Sequence, residues 1–113
     1  MRKQDAIRLI NQKFDLKLNS DNTNWSNINA NGIWSMEPNC VRKEHKLFLV
    51  LNNNRSNKIH AFEIPANHEV YNKLYSRNDR NVFRLLFNVN DSEFVEMLQH
   101  INFNIFYKGF IEY

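Results

Sequence analysis

The stretch from His45 to Pro65, HKLFLVLNNNRSNKIHAFEIP, constrains the fold more than any other part of the chain. Leu47-Phe48-Leu49-Val50-Leu51 is an unbroken apolar run, the pattern of a strand covered on both faces. A cluster of turn formers follows, Asn52 to Asn57, with no apolar residue inside it. Lys58 to Ile64 then reads as a second strand, which Pro65 ends because proline has no N–H to give to a ladder. The spacing predicts a long antiparallel hairpin at mid-chain.

Around it, Arg2 to Leu18 reads as an amphipathic helix with Ile7, Ile10, Phe14 and Leu18 on its buried stripe. Asn19 to Asn31 reads as a polar loop pinned to the surface by Trp25. Gly32 to Glu37 alternates as a strand does, with Trp34 and Met36 on one face, and Pro38 stops it. In Ala66 to Arg80, Val70 and Leu74 are spaced for a short helix, and a turn over Ser76 to Asn81 comes next. Val82 to Val89 is predicted as a strand with Phe83, Leu85, Phe87 and Val89 on one face. Asn90, with Glu93 three residues on, resembles a capping box, so a second helix is expected with Phe94, Met97, Leu98 and Ile101 as its stripe. Phe103 to Tyr113 reads as a terminal strand interrupted at Gly109. The expected class is α+β: a mainly antiparallel sheet of four to five strands, an N-terminal helix and a second helix near the C-terminus.

A chain of 113 residues with 42% hydrophobic and 13% aromatic side chains can bury one core, so residues 1–113 are read as a single domain. The single Cys40 excludes an internal disulfide and fits a reducing cytosol. No apolar run is long enough to span a bilayer, and the basic start MRKQDAIRLI lacks a signal core; a cytoplasmic protein without membrane contact is expected. Asparagine is the most abundant residue and is given no functional weight.

Glycine-rich phosphate loops and the G-x-S-x-G elbow are absent, and two glycines could not build a phosphate cradle, so nucleotide hydrolysis and dinucleotide redox chemistry are not expected. No cofactor is implied. Cys40 and His45 could reach one ion from a loop, but the His and Cys residues form no recognised ligand pair, so no metal site is assigned. Glu44-His45-Lys46 has the Glu-x-Lys spacing of metal-dependent nucleases, where a carboxylate on Mg²⁺ stands beside a lysine that steadies the attacking water. It makes Glu44 and Lys46 the only catalytic candidates, and it needs an acidic partner such as Asp21 or Glu37. The spacing has meaning only if the strand begins by Lys43, so that both side chains share a face.

A net charge of +3 with a pI near 9.1 permits a polyanionic partner and argues against a nucleic-acid mimic. Candidate nucleic-acid contacts are Arg8, Lys43, Arg55, Lys58, Tyr75, Arg77, Asn78 and Arg80, because Arg and Asn read base edges, Lys meets phosphates and Tyr stacks.

Ser26-Asn27-Ile28-Asn29, then Trp34 with Glu37-Pro38, Leu47 to Asn52, His60 to Pro65, and Tyr75-Ser76-Arg77 with Phe94 together resemble a run found in prokaryotic restriction-endonuclease-type proteins. The likeness covers residues 24 to 94, and the chain departs from it at Ser35 and at Glu37, where Trp and Ile are expected. It implies association with a DNA-processing system and not catalysis by this chain. The leading expectation is therefore a small DNA-contacting module of a prokaryotic defence or mobile-element system, without chemistry of its own. A protein-binding inhibitor or toxin–antitoxin partner, anchored on Trp25 and Trp34, is the alternative, and a Mg²⁺-dependent nuclease the third.

Overall fold

The computed structural model describes residues 1–113. The predicted hairpin is its centre. Strands β3 (Leu47–Asn53) and β4 (Lys58–Ile64) pair antiparallel, Leu49 opposite Phe62 and Leu51 opposite His60. Leu47 to Leu51 are all 2% exposed or less, because the alternation of a strand sends them to two separate cores. Leu47, Leu49 and Leu51 join Phe62 and Ile64 on one face, while Phe48 and Val50 join Ile59 and Ala61 on the other.

The four-stranded sheet has the order β1-β3-β4-β10. Strand β1 (Thr23–Asn27) runs parallel to β3, and β10 (Tyr107–Glu112) antiparallel to β4. The sheet is thus mixed, with two of its three pairings antiparallel, and the supposed loop over 19–31 contains one of its strands. Trp25 within β1 is half-buried against the helix-side core.

Helix α1 (Lys3–Phe14) covers that second face through Ala6 and Ile10. It stops short of the predicted Leu18 because Asp15 turns left-handed at φ 52°. Leu18 is buried all the same: the Asn11 side chain donates to its carbonyl at 3.0 Å and accepts from its N–H at 2.9 Å.

The opposite face is covered by a second β layer. Strand β2 (Ile33–Met36) pairs with β7 (Leu85–Asn88), and a short hairpin joins β5 (Ser76–Arg77) to β6 (Val82–Phe83). The predicted strand over 82–89 is therefore broken at Arg84, whose N–H donates to the Tyr75 carbonyl at 2.9 Å. Residues 69–72 form a 3-10 turn where a short helix was expected, with Val70 and Tyr71 buried.

The second helix does not exist. Strands β8 (Val95–Glu96) and β9 (Ile101–Asn102) form a small hairpin there. Asp91 accepts the N–H groups of Glu93 and Val95, both at 2.9 Å, and Phe94 takes φ 55°. The Glu96 side chain, wholly buried, accepts the N–H of Leu86 at 2.9 Å and of Gln99 at 2.8 Å. A helix would leave those amides without this carboxylate, and a buried carboxylate so bound fixes the hairpin. No helix is long and apolar enough to cross a membrane.

Gly109 interrupts β10, as expected, through a shift in register between Tyr107 and Gly109. Its φ is +137°, and a Cβ there would lie 2.9 Å from the Phe14 ring. Gly109→Ala should destabilise the fold by roughly 1–3 kcal/mol through backbone strain and overpacking. Phe14→Leu in the same background should return part of that loss, as read by urea unfolding of the two single variants and the double variant.

Candidate functional site

The candidate contacts fall into separate groups. Lys43 sits in the 3-10 turn Cys40–Glu44, and Arg77, Asn78 and Arg80 belong to the β5–β6 hairpin, with Tyr75 at its base. The Cys40 N–H donates to the Asn81 carbonyl at 2.9 Å, which ties turn and hairpin together at the Leu47 end of the sheet. Arg55 and Lys58 lie at the other end, separated from the first group by the length of β3, about 23 Å for its seven residues. Arg8 stands apart on α1, 3.7 Å from Asp5.

Much of this charge is paired. Glu37 lies 3.4 Å from Arg77 and 3.5 Å from Arg80, Asp79 lies 3.5 Å from Arg77, and Glu112 lies 3.7 Å from Lys58. Lys43 and Arg55 are exposed and take part in none of these pairs.

The Glu-x-Lys pattern loses its geometry. Strand β3 begins at Leu47, so Glu44 ends a 3-10 turn and the two-residue spacing does not place Glu44 and Lys46 on one strand face. Lys46 pairs with Glu63 at 3.0 Å, and Lys108 holds the second oxygen at 3.1 Å. Burial pushes the Glu63 carboxyl up, but hydrogen bonds from Lys46 and Lys108 and their charge carry it below the usual range. The proposed acidic partner Glu37 belongs to Arg77 and Arg80, and Asp21 is an exposed residue of the turn before β1. No three His, Cys, Asp or Glu side chains converge on a common point. As for the anchors of the protein-binding alternative, Trp34 is 1% exposed and lies in the core, and Trp25 is half-buried.

A concavity with an aromatic floor lies elsewhere. A cleft of about 350 Å³ opens at the turn end of the central hairpin, between β4, β10 and the segment from Val89 to Phe94. Strand alternation builds its floor: His60 projects from the same face as Phe62, and β10 places Tyr107 opposite Phe62 and Phe110 opposite His60. His60 Nδ1 and the Tyr107 hydroxyl are 2.9 Å apart. Phe94 packs on both, with ring centres 5.1 Å from His60 and 5.2 Å from Tyr107. Burial, aided by the Lys58 charge, pushes the imidazole down to about 4, and burial raises the Tyr107 phenol. Both groups are uncharged at neutral pH, so theirs is a neutral hydrogen bond whose direction follows the imidazole tautomer.

The rim is polar. Asn90, Ser92, Asn104 and Ser56 line it, joined by Lys58, whose ammonium sits 4.9 Å from the centre of the Phe110 ring. The arrangement suits a small ligand with an apolar face and hydrogen-bonding edges, and it holds no activated nucleophile. Of these residues only Lys58 was a sequence-level candidate. His60 carried the one available signal, a polar ring at an inward position between Lys58 and Phe62. Comparison with protein-family models, curated proteins and solved structures gave no match.

The depressed imidazole has a consequence for stability. The unfolded chain binds the proton near the ordinary value of 6.5 and the folded one only near 4. The His60 contribution is therefore complete above 6.5, declines as pH falls toward 4 and is exhausted below it. Thermal unfolding followed from pH 7 to pH 4 should show this loss in the wild type and a shallower one in His60→Gln.

Proposed function

We propose that this chain is a small nucleic-acid-contacting module, without chemistry of its own, that meets DNA phosphates through the end bearing Lys43 and the β5–β6 hairpin. The observation that carries the reading is the convergence there of residues distant in sequence. Lys43, Tyr75, Asn78 and Arg80 all stand exposed on one turn and one projecting hairpin, locked together by the Cys40–Asn81 hydrogen bond. Glu37 tempers the charge but also orients it, since it braces Arg77 and Arg80 from below. Loops set on a rigid sheet are where binding residues concentrate. The prokaryotic defence or mobile-element setting rests on the sequence resemblance alone. A protein partner is the second reading, favoured by Ile105 at 71% exposure and by Met97 and Leu98 at the tip of the β8–β9 hairpin.

The expected result is duplex binding that weakens steeply as salt rises, in proportion to the phosphates met. Lys43→Ala should lower affinity on every sequence alike and reduce the slope of log K against log salt by about one. Absence of duplex binding at low ionic strength, or binding indifferent to salt, would overturn the proposal.

A further inference from the structure

We infer that the His60–Tyr107 cleft is a binding site for one unpaired nucleobase, presented by a single strand whose phosphates are met at its rim by Lys58 and Arg55. The inference rests on the nucleic-acid reading above and extends it to a second contact at the opposite end of the sheet.

The chemistry of the lining selects the ligand. Aromatic rings form the floor and walls, so the occupant needs a flat apolar face. Around the edge stand groups with capacity to spare. The side chains of Asn90 and Asn104 and the hydroxyls of Ser56 and Ser92 have no partner within the protein, and Asn53 spends its oxygen on the N–H groups of Arg55 and Ser56, leaving its NH₂ free. Paired amide donors and acceptors of this kind match the edges of heteroaromatic bases. A purely aliphatic ligand would leave them unsatisfied.

Size and charge narrow the choice further. About 350 Å³ is near the lower end for small-ligand sites and is enough for one base with its sugar. Positive charge lies only at the mouth. Lys58 lines the rim, and the Arg55 guanidinium lies beside Gly32, which also neighbours Val89, a wall of the cleft. The one lining carboxylate, Asp91, is already engaged by two backbone N–H groups. An anion linked to a planar ring fits this layout. The interior imidazole is neutral and donates no charge to it. In a duplex the base edges are paired and the faces stacked, so the cleft selects single strands.

The test compares oligo(dT) and oligo(dA) with a duplex of equal length, alongside the mononucleotides dTMP and dAMP and their nucleosides. Trp34 lines the cleft, so its emission reports occupancy directly. Expected are a saturable emission change with the mononucleotides and single-strand binding about tenfold tighter than duplex binding, the scale of one stacked base. Ser92→Trp, at an exposed rim position, should fill the cleft and abolish both while leaving duplex affinity unchanged. Lys58→Met should erase the advantage of the mononucleotide over its nucleoside.

Equal affinity for single strand and duplex, with no emission change and salt-dependent duplex binding intact, would overturn the cleft assignment and leave the phosphate-contacting reading standing. Mononucleotide binding lost in Ser92→Trp, without any duplex binding, would support the cleft and retire the Lys43 end instead. Displacement of dTMP by N-acetyltryptophanamide at equal or lower concentration would reassign the cleft to an aromatic peptide side chain and overturn the inference.

Discussion

The structure depends on the desolvation of β3 from every direction. Its peptide groups are taken by β1 on one edge and β4 on the other, and its side chains enter a core on each face. Each fully buried Leu or Val there contributes about 1.5–3 kcal/mol relative to exposure. A strand in that position demands two covering layers, and the chain supplies one from α1 and the other from β2, β7 and the aromatic C-terminal third. The Lys43 turn with its hairpin and the His60–Tyr107 cleft are thereby displaced to the two ends of the sheet.

The polar end of the same strand is as tightly held as its apolar part. Asn52, 2% exposed, gives its side-chain N–H to Asn27 and accepts from the Tyr113 hydroxyl, both at 2.6 Å, while its carbonyl accepts the Trp34 indole N–H at 2.8 Å. Four segments meet on one asparagine. That node fixes the turn end of the hairpin, where the cleft opens.

How much of this was legible follows from what each pattern reports. The hairpin announced itself because its period and its turn agree. Strand β1 did not, since an edge strand whose one apolar residue is Trp25, among Thr, Asn and Ser, carries no periodic signal and is recruited by its parallel neighbour. The 90–102 segment had a helical stripe, yet Asp91 binds the amide of Val95 and Glu96 that of Gln99, both of which a helix would have bonded to its own carbonyls. Asparagine, set aside as compositional, proves structural. With few glycines, Asn57, Asn67 and Asn81 take three of the six left-handed positions held by residues other than glycine, and Asn29, Asn39, Asn53, Asn88 and Asn102 close turns by accepting the N–H two residues on. For the site, residue type identified cations but not their partners: Glu37 meets Arg77 across 40 positions of sequence. The cleft was illegible for the same reason, being assembled from β2, β4, β10 and the Val89–Phe94 segment.

The order in which β4 acquires its neighbours bears on the chain's biogenesis. One edge is met by β3 through a local turn, but the other waits for β10, more than forty residues further along the chain. Until β10 docks, a strand rich in Ile, Ala and Phe therefore has an unpaired row of N–H and C=O groups. Such an edge can template pairing with a neighbouring nascent chain. Gly109 then closes it at a place where only the smallest residue lets α1 and the sheet meet. The interval before β10 docks is thus the one in which this molecule is most exposed to pairing with a second copy.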